Sequence, residues 1–137
     1  MIETVQEFAL MALKLVIALG LGGLVGLERQ MDRKPAGLRT HMLVSLGACL
    51  FTVVSIQGFG MDPARVAAGR VTGIGFLGAG AIMSSGHHVR GITTAATLWV
   101  TAAIGLAVGV DMYITAVLTS VLVFAVLKMW KLEEGIG

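Results

Sequence analysis

The chain has little charge and few of the residues that interrupt regular structure. Only 13% of its 137 residues are charged, and it contains two prolines and one cysteine, which excludes an internal disulfide. By contrast, 56% of the residues are hydrophobic and the mean hydropathy is +0.90. A soluble domain of this length still exposes roughly a third of its chain surface. So large an apolar share therefore indicates that lipid, rather than water, surrounds most of this protein.

Five apolar runs approach the length of about 20 residues that a helix needs to cross a bilayer. They cover residues 8–27, 42–59, 66–85, 92–110 and 112–130. The third is a short or a broken span, because Arg70 leaves it only a short uncharged core. We therefore predict an all-α polytopic membrane protein, with one transmembrane domain over residues 1–137 and a bundle of about five helices.

The positions of lysine and arginine predict how the bundle is oriented. Cytoplasmic loops carry an excess of these residues. Two cations, Arg65 and Arg70, flank one side of the predicted membrane, and Lys14 lies within the first span. The other side carries Arg29, Arg33, Lys34, Arg39, Arg90, Lys128 and Lys131. We therefore predict an N-terminus outside and a C-terminus inside.

The stretch VTGIGFLGAGAIM, residues 71–83, matches the pattern G-x-G-x-x-G. In a dinucleotide-binding protein this pattern follows a strand and precedes an acidic residue by about 20 positions. Here that position falls in an apolar run, so we predict no nucleotide and no other cofactor. Glycine also lets membrane helices approach closely. The predicted helix-packing residues are Gly22, Gly26, Gly73, Gly75, Gly78, Gly80 and Trp99. On this interpretation the third helix lies at the centre of the bundle; alternatively, its glycines give flexible backbone around a transported solute.

A set of polar residues at the span ends forms the candidate functional cluster. It comprises Glu28, Arg29, Arg39, Thr40, Arg70, Arg90, Thr93 and Thr94. Glu28 and Arg29 are either an interfacial pair that anchors the first helix or part of a polar gate. Arg70 is either an anchor at the membrane rim or a functional site, because a cation deeper in the bilayer is costly. The threonines either cap the fourth helix or belong to the site.

Lys14 lies about two turns inside the first span, on an i, i+4 ridge with Ala18, Gly22 and Gly26. A ridge of small residues packs against protein, and cations inside a membrane usually pair or face water. We therefore predict an ion pair with Asp111, between the fourth and fifth spans. The alternatives are Glu7 on the same helix and a side chain that extends towards the membrane surface.

The remaining polar residues do not predict catalysis or metal binding. His87 and His88 are adjacent, so they do not share a helix face, and His41 has no cysteine or carboxylate at ligand spacing. The carboxylates are scattered, whereas Mg²⁺ binds oxygen-rich sites. Neither a nucleophile-base arrangement nor a basic patch with aromatic residues is evident. We therefore predict a protein without enzymatic activity, without a metal site and without affinity for nucleic acid.

Several motifs, in this order, give the chain a specific resemblance to a known family. They are GGLVGLERQ (22–30), AGLRTHMLVSLGA (36–48), RVTGIGFLGAGAIM (70–83), VRGITTAATLW (89–99) and AAIGLAVG (102–109). Together they resemble the MgtC/SapB family of small bacterial membrane proteins. The family motifs also carry Glu28, Arg29, Arg39, Thr40 and Arg90 of the candidate cluster.

The resemblance implies a five-helix module of the bacterial inner membrane. It also implies a regulatory or interaction role in adaptation to low magnesium, with links to virulence and to restraint of the F-type ATP synthase. The expected partners are membrane lipids, a membrane protein such as that synthase, and further copies of the chain. The name-giving members carry an additional soluble C-terminal domain that residues 1–137 do not include. The alternative function is a small solute or ion carrier, with a path lined by the glycine-rich third helix, Arg70, Arg90 and Glu28.

Overall fold

A computed structural model describes residues 4–60 and 62–136, so the predicted domain of residues 1–137 is covered apart from its two ends and residue 61. Helix α1 spans Val5–Met31, α2 spans Leu38–Val53, α3 spans Pro63–Gly80, α4 spans Ile92–Gly109 and α5 spans Tyr113–Lys128. A π-helical turn, Val54–Gly58, continues α2, and a short helix α6, Trp130–Ile136, follows α5. The prediction of an all-α membrane protein is confirmed.

Four helical segments are long and apolar enough to cross a membrane: Val5–Met31, Leu38–Gly58, Ile92–Gly109 and Tyr113–Ile136. Helix α3 is not among them, in keeping with the short or broken span expected there. It ends at Gly80, and the predicted remainder of that span enters a hairpin of two three-residue strands. These strands, β1 (Met83–Ser85) and β2 (His88–Arg90), are antiparallel, with Met83 opposite Arg90.

Local chemistry explains where the helices begin. Thr4 and Glu7 form a capping box at the start of α1, in which each side chain accepts a hydrogen bond from the other's backbone N–H. Asp62 caps α3 by accepting from the backbone of Ala64, with a proline at the first helical position. Gly91 precedes α4 at a φ of +90°, and a Cβ there would lie 2.1 Å from the carbonyl oxygen of Ala81. Glycine is therefore required between the hairpin and α4.

Helices α1, α2 and α4 form the centre of the core, with α2 in close contact with both neighbours, and α5 adds Ala116 and Leu127. A Cβ added to Gly22 of α1 would lie 2.6 Å from the carbonyl oxygen of His41, and one on Gly26 would lie 2.8 Å from the Cα of Leu38. A Cβ on Gly105 of α4 would lie 2.1 Å from the carbonyl oxygen of Ser45. Backbone thus packs against backbone on both sides of α2, as small residues allow in membrane helices.

The expectation that α3 lies at the centre of the bundle is wrong. Helix α3 packs along α4 and touches α2, and only Val66 and Gly78 of its residues are buried. A Cβ on Gly78 would make ordinary contact with Ala95 of α4. The number of glycines in α3 did not indicate a central position, because glycine is equally compatible with a helix face that no other helix contacts. Most glycines of α3 lie on such a face among the described residues, which we call the bare glycine face.

Candidate functional site

The end of α1 carries a buried ion pair between neighbouring residues. Arg29 Nε donates to Glu28 Oε2 at 2.6 Å, and Arg29 Nη2 donates to Glu28 Oε1 at 3.0 Å. Glu28 is 0% exposed and Arg29 is 2% exposed. Arg29 thus donates to both oxygens of the carboxylate. These charge-assisted hydrogen bonds offset the free-energy cost of removing the two charges from water. The predicted span ends at residue 27, just before this pair, whereas α1 continues to Met31 and both residues are buried.

Two more charged groups stand near this pair. Lys128 Nζ of α5 lies 3.7 Å from Glu28 Oε1, and Asp32 Oδ2 lies 3.7 Å from Arg29 Nη2. Asp32 Oδ2 is buried and has no hydrogen-bond partner among the described residues. The four side chains alternate in sign, so the group as a whole is close to neutral. We call Glu28, Arg29, Asp32 and Lys128 the charged quartet.

His41 of α2 is a buried polar residue that the sequence analysis did not include in the site. Its Nδ1 lies 2.8 Å from the carbonyl oxygen of Gly37, which can only accept, so Nδ1 carries a hydrogen. With the hydrogen on Nδ1, the Nε2 of the neutral ring can only accept, and it lies 3.1 Å from Thr97 Oγ1 of α4. The Thr97 hydroxyl also lies 2.7 Å from the carbonyl oxygen of Thr94, and its single hydrogen is donated to one of these two acceptors at a time. Through the contact between Nε2 and Oγ1, His41 connects α2 to α4. Its position two residues after Arg39, in the same motif, was the available sequence signal.

The predicted polar cluster is spread over several places. Arg39, Arg90 and Thr93 are exposed, Thr40 is half-buried, and Thr94 is buried. Arg70 belongs to the opposite end of the bundle, because its Nη1 donates to Thr52 Oγ1 near the end of α2. Only Glu28 and Arg29 of the predicted cluster bond to each other through their side chains in the described part of the chain. A function for the remaining residues stays a prediction.

The predicted packing residues also divide into two groups. Gly22 and Gly26 lie in the close α1–α2 contact described above, and Gly78 touches α4. A Cβ on Gly73, Gly75 or Gly80 would meet nothing within 4 Å among the described residues. Trp99 is 50% exposed on α4. Packing at the three glycines would need a partner from outside the described chain, and the packing role of Trp99 stays a prediction.

Lys14 and Asp111 join the other end of the bundle. Lys14 Nζ lies 3.0 Å from the Asp111 carboxylate and 3.4 Å from the carbonyl oxygen of Gly109. Tyr113 donates its hydroxyl to Asp111 at 2.8 Å. Burial alone would raise the pKa of Asp111, but the hydrogen bonds from Lys14 and Tyr113 hold it below its usual range. The pair fixes α1 against the turn between α4 and α5.

A cleft of 740 Å³ lies between α2 and α3. Its walls are mainly apolar, and two arginines, Arg65 and Arg70, line it. Gly69 and Gly73 of α3 also line it, so part of the bare glycine face is turned towards this space. No group of three or more His, Cys, Asp or Glu side chains suited to a metal ion occurs within residues 4–60 and 62–136. The chemistry of the cleft is thus that of an apolar groove with cationic groups.

Comparison with known proteins gives a consistent result. The family model described as "MgtC family" matches residues 15–134. A relative from Escherichia coli (strain K12), named "Putative magnesium transporter YhiD", is 45% identical over 127 residues, which is 86% of this chain and 59% of the relative. "Protein MgtC" of Salmonella typhimurium (strain LT2) is 46% identical over 111 residues, covering 81% of this chain and 48% of the relative.

"Protein MgtC" of Brucella abortus (strain 2308) is 50% identical over 107 residues, covering 77% of this chain and 45% of the relative. The chain spans about half the length of the curated relatives it matches. No solved structure gives a significant match.

Proposed function

Since this chain belongs to the MgtC family, we propose that it is a regulatory or interaction protein of the bacterial inner membrane that serves adaptation to low magnesium. It acts by contact with a membrane protein, for which the F-type ATP synthase is the candidate, and it contributes to virulence where the bacterium is a pathogen. It has no catalytic activity. The same proposal covers self-association, through the exposed faces of α3 and α5.

The observation that supports this proposal is that the buried charges near the end of α1 pair with each other. Arg29 donates to both carboxylate oxygens of Glu28, and both residues are buried. A Mg²⁺ path needs oxygen ligands that can replace part of the ion's hydration shell. Here the buried carboxylate is already neutralised by a neighbouring guanidinium. This carboxylate is therefore engaged within the fold rather than free to hold an ion, which suits a protein that works through its outer surface.

The partner surface would consist of lipid-facing helix faces and the loop after α1. Along α5, Ile114, Val117, Leu118, Val121 and Leu122 are all exposed large hydrophobic residues. Arg33 and Lys34 are exposed in the loop between α1 and α2. A partner inside the membrane can contact the first surface while its cytoplasmic loops meet the second.

The test is co-reconstitution of this chain with purified F-type ATP synthase in liposomes. ATP-driven proton pumping is followed by a pH-sensitive dye while the molar ratio of the chain is increased. We expect pumping to fall and then level off as the ratio passes equivalence. An unrelated membrane protein of similar size is the control for crowding. Unchanged pumping at every ratio, with the chain shown to be folded, would contradict restraint of the synthase.

A second candidate, a solute or ion carrier, is favoured by the cleft between α2 and α3. That space contains Arg70 and the bare glycine face of α3, both parts of the predicted path. The name of the Escherichia coli relative also refers to magnesium transport. Flux of Mg²⁺ and of small anions into liposomes that hold only this chain separates the two. Saturable flux supports the carrier, and its absence under imposed gradients supports the interaction protein.

A further inference from the structure

The cleft between α2 and α3 is long and narrow rather than round. Along α2 and the π-helical turn that continues it, its lining runs from Thr40 to Ser55, which corresponds to roughly 22 Å of helix at 1.5 Å per residue. Along α3 it runs from Arg65 to Leu77, or roughly 18 Å. The hydrocarbon core of a bilayer is about 30 Å thick. The length of the cleft is therefore more than half of this thickness.

One end of the cleft is polar. Arg70 lies there, held by a hydrogen bond from its Nη1 to Thr52 Oγ1 and by the ring of Phe51, whose centroid is 5.6 Å from its Cζ. Thr52 passes its own hydrogen to the carbonyl oxygen of Ala48, so its oxygen is free to accept from the arginine. A guanidinium has five N–H donors, and only one is used within the described chain. The remaining donors are available to a ligand in the cleft.

No acidic side chain among the described residues balances the charge at this end. None of the ion pairs within residues 4–60 and 62–136 includes Arg65 or Arg70. The nearest acidic residue in sequence, Asp62, is engaged in capping α3. The other lining residues are mostly apolar, as Leu43, Ile74 and Leu77 illustrate. An unpaired cation next to hydrocarbon is unfavourable, so this end of the cleft attracts an anion.

We propose that the cleft binds one anionic phospholipid from the bilayer. Its phosphate accepts hydrogen bonds from Arg70, with Arg65 adding positive charge, and an acyl chain lies along Gly69 and Gly73. Glycine at those two positions leaves room for the chain, because a Cβ there would meet no other atom within 4 Å. The ligand matches the site at both ends: charge opposite charge, and hydrocarbon against apolar walls. This inference does not depend on the proposed function.

A helix from a second copy fits the same space less well. A second copy would have to supply a carboxylate to neutralise Arg70. A phospholipid carries its anionic group and its hydrocarbon chains in one molecule, so it supplies both without a further partner.

The experiment uses the full chain, purified in a neutral detergent, with added phosphatidylglycerol as the probe. Phosphatidylcholine is the neutral comparison, and inorganic phosphate tests the anion without a tail. Native mass spectrometry counts bound lipids, and thermal unfolding reports stabilisation. We expect one phosphatidylglycerol to be retained with a rise in Tm, and no such effect from phosphatidylcholine or phosphate.

Matched variants locate the binding. Arg70→Gln should weaken retention of phosphatidylglycerol at least about tenfold, as expected for the loss of hydrogen bonds to a charged group. Gly73→Leu should weaken it by filling the apolar part, and it should still fold because the position is open. Lys34→Gln, an exposed loop cation, should leave it unchanged.

Three results would overturn the proposal. Equal retention of phosphatidylcholine would show ordinary surrounding lipid. Undiminished binding by Arg70→Gln, with Gly73→Leu also unaffected, would place the lipid elsewhere. A cross-link between two copies from a cysteine at Gly73, in a Cys49→Ala background and in the presence of phosphatidylglycerol, would show a second chain in the cleft instead.

Discussion

Lys14 and Asp111 are 97 positions apart in sequence, and their charged groups lie 3.0 Å from each other. The small-residue ridge on α1 predicted this pair, and the structure confirms it. The two partners differ in environment, because the side chain of Lys14 is 10% exposed and that of Asp111 is 62% exposed. The pair therefore serves mainly to neutralise the buried lysine, and its two halves should respond differently to substitution.

Asp111→Asn should destabilise the protein more than Lys14→Met. The first change leaves a buried ammonium group without its counter-ion, and the second replaces that group with an apolar side chain. Asparagine also tolerates the φ of +65° at this position, so backbone strain does not confuse the comparison. Unfolding in detergent of both single variants and the double variant gives the coupling free energy. A coupling below about 0.5 kcal/mol, the scatter for independent sites, would contradict the pair.

The stability that the Lys14–Asp111 pair contributes should depend on pH. The pKa of Asp111 is lower in the folded protein than in the unfolded chain, so the pair contributes stability above the ordinary aspartate pKa of about 3.9. That contribution is lost as the pH falls through the folded pKa. The difference in Tm between the wild type and Asp111→Asn should thus be constant near neutral pH and shrink below about pH 4. A difference that does not change from pH 7 to pH 3 would argue against a lowered pKa.

Glu28→Gln should be among the most damaging single changes in the chain. It leaves the guanidinium of Arg29 buried beside a neutral amide, and breaking a buried pair in this way costs about 3–5 kcal/mol. The double variant Glu28→Leu, Arg29→Met removes both charges and should recover much of that loss. Lys128→Gln is the matched control, since its nitrogen is 3.7 Å away and its side chain is 33% exposed. If Glu28→Gln unfolded at the wild-type temperature, the pair would contribute little to stability.

Two glycines on different helices provide a test of the core. Gly105→Ala should destabilise by about 1–3 kcal/mol, because its Cβ would lie 2.1 Å from the carbonyl oxygen of Ser45. Gly73→Ala, in open space, should be neutral or slightly stabilising, since alanine favours helix over glycine by about 1 kcal/mol. The measurement is the thermal unfolding temperature of the two variants, each compared with the wild type. Equal effects would mean that the α2–α4 contact is looser than the structure shows.

The orientation of the chain stays a prediction and can be measured. Ala64 and Lys34 are both exposed, in α3 and in the loop after α1. Each is replaced by cysteine in a Cys49→Ala background and labelled in intact cells with a membrane-impermeant maleimide. The excess of cations near Lys34 predicts that Ala64→Cys reacts and Lys34→Cys does not. The opposite pattern would place the N-terminus inside.

Hydrophobic runs predicted the helices because they are local patterns in each segment. The small-residue ridge on α1 predicted that Lys14 faces protein, and Asp111, in the turn between the fourth and fifth spans, supplied the opposite charge. The burial of Glu28 and Arg29 was missed since hydropathy treats a charged residue as the end of a span. In the structure each charge satisfies the other, and α1 continues past them to Met31.

The place of α3 could not be inferred from its glycines. A glycine permits close approach, but which helix approaches depends on the neighbouring chain segments. Gly105 meets the backbone of α2, whereas Gly73 faces a cleft, and their sequence surroundings do not distinguish them. The role of His41 likewise depends on Thr97, which lies 56 positions away.

The glycine contacts of α2 restrict how this protein can move. Ser45 is in contact with Gly105, and Thr52 with Gly109, so α2 cannot slide along α4 without driving a side chain into backbone. Gly22 imposes the same restriction between α1 and α2. Transporters that alternate their access rock one group of helices against another. In this chain the glycine contacts oppose such rocking within α1, α2 and α4, whereas α3 lies at the edge of the bundle and buries only Val66 and Gly78.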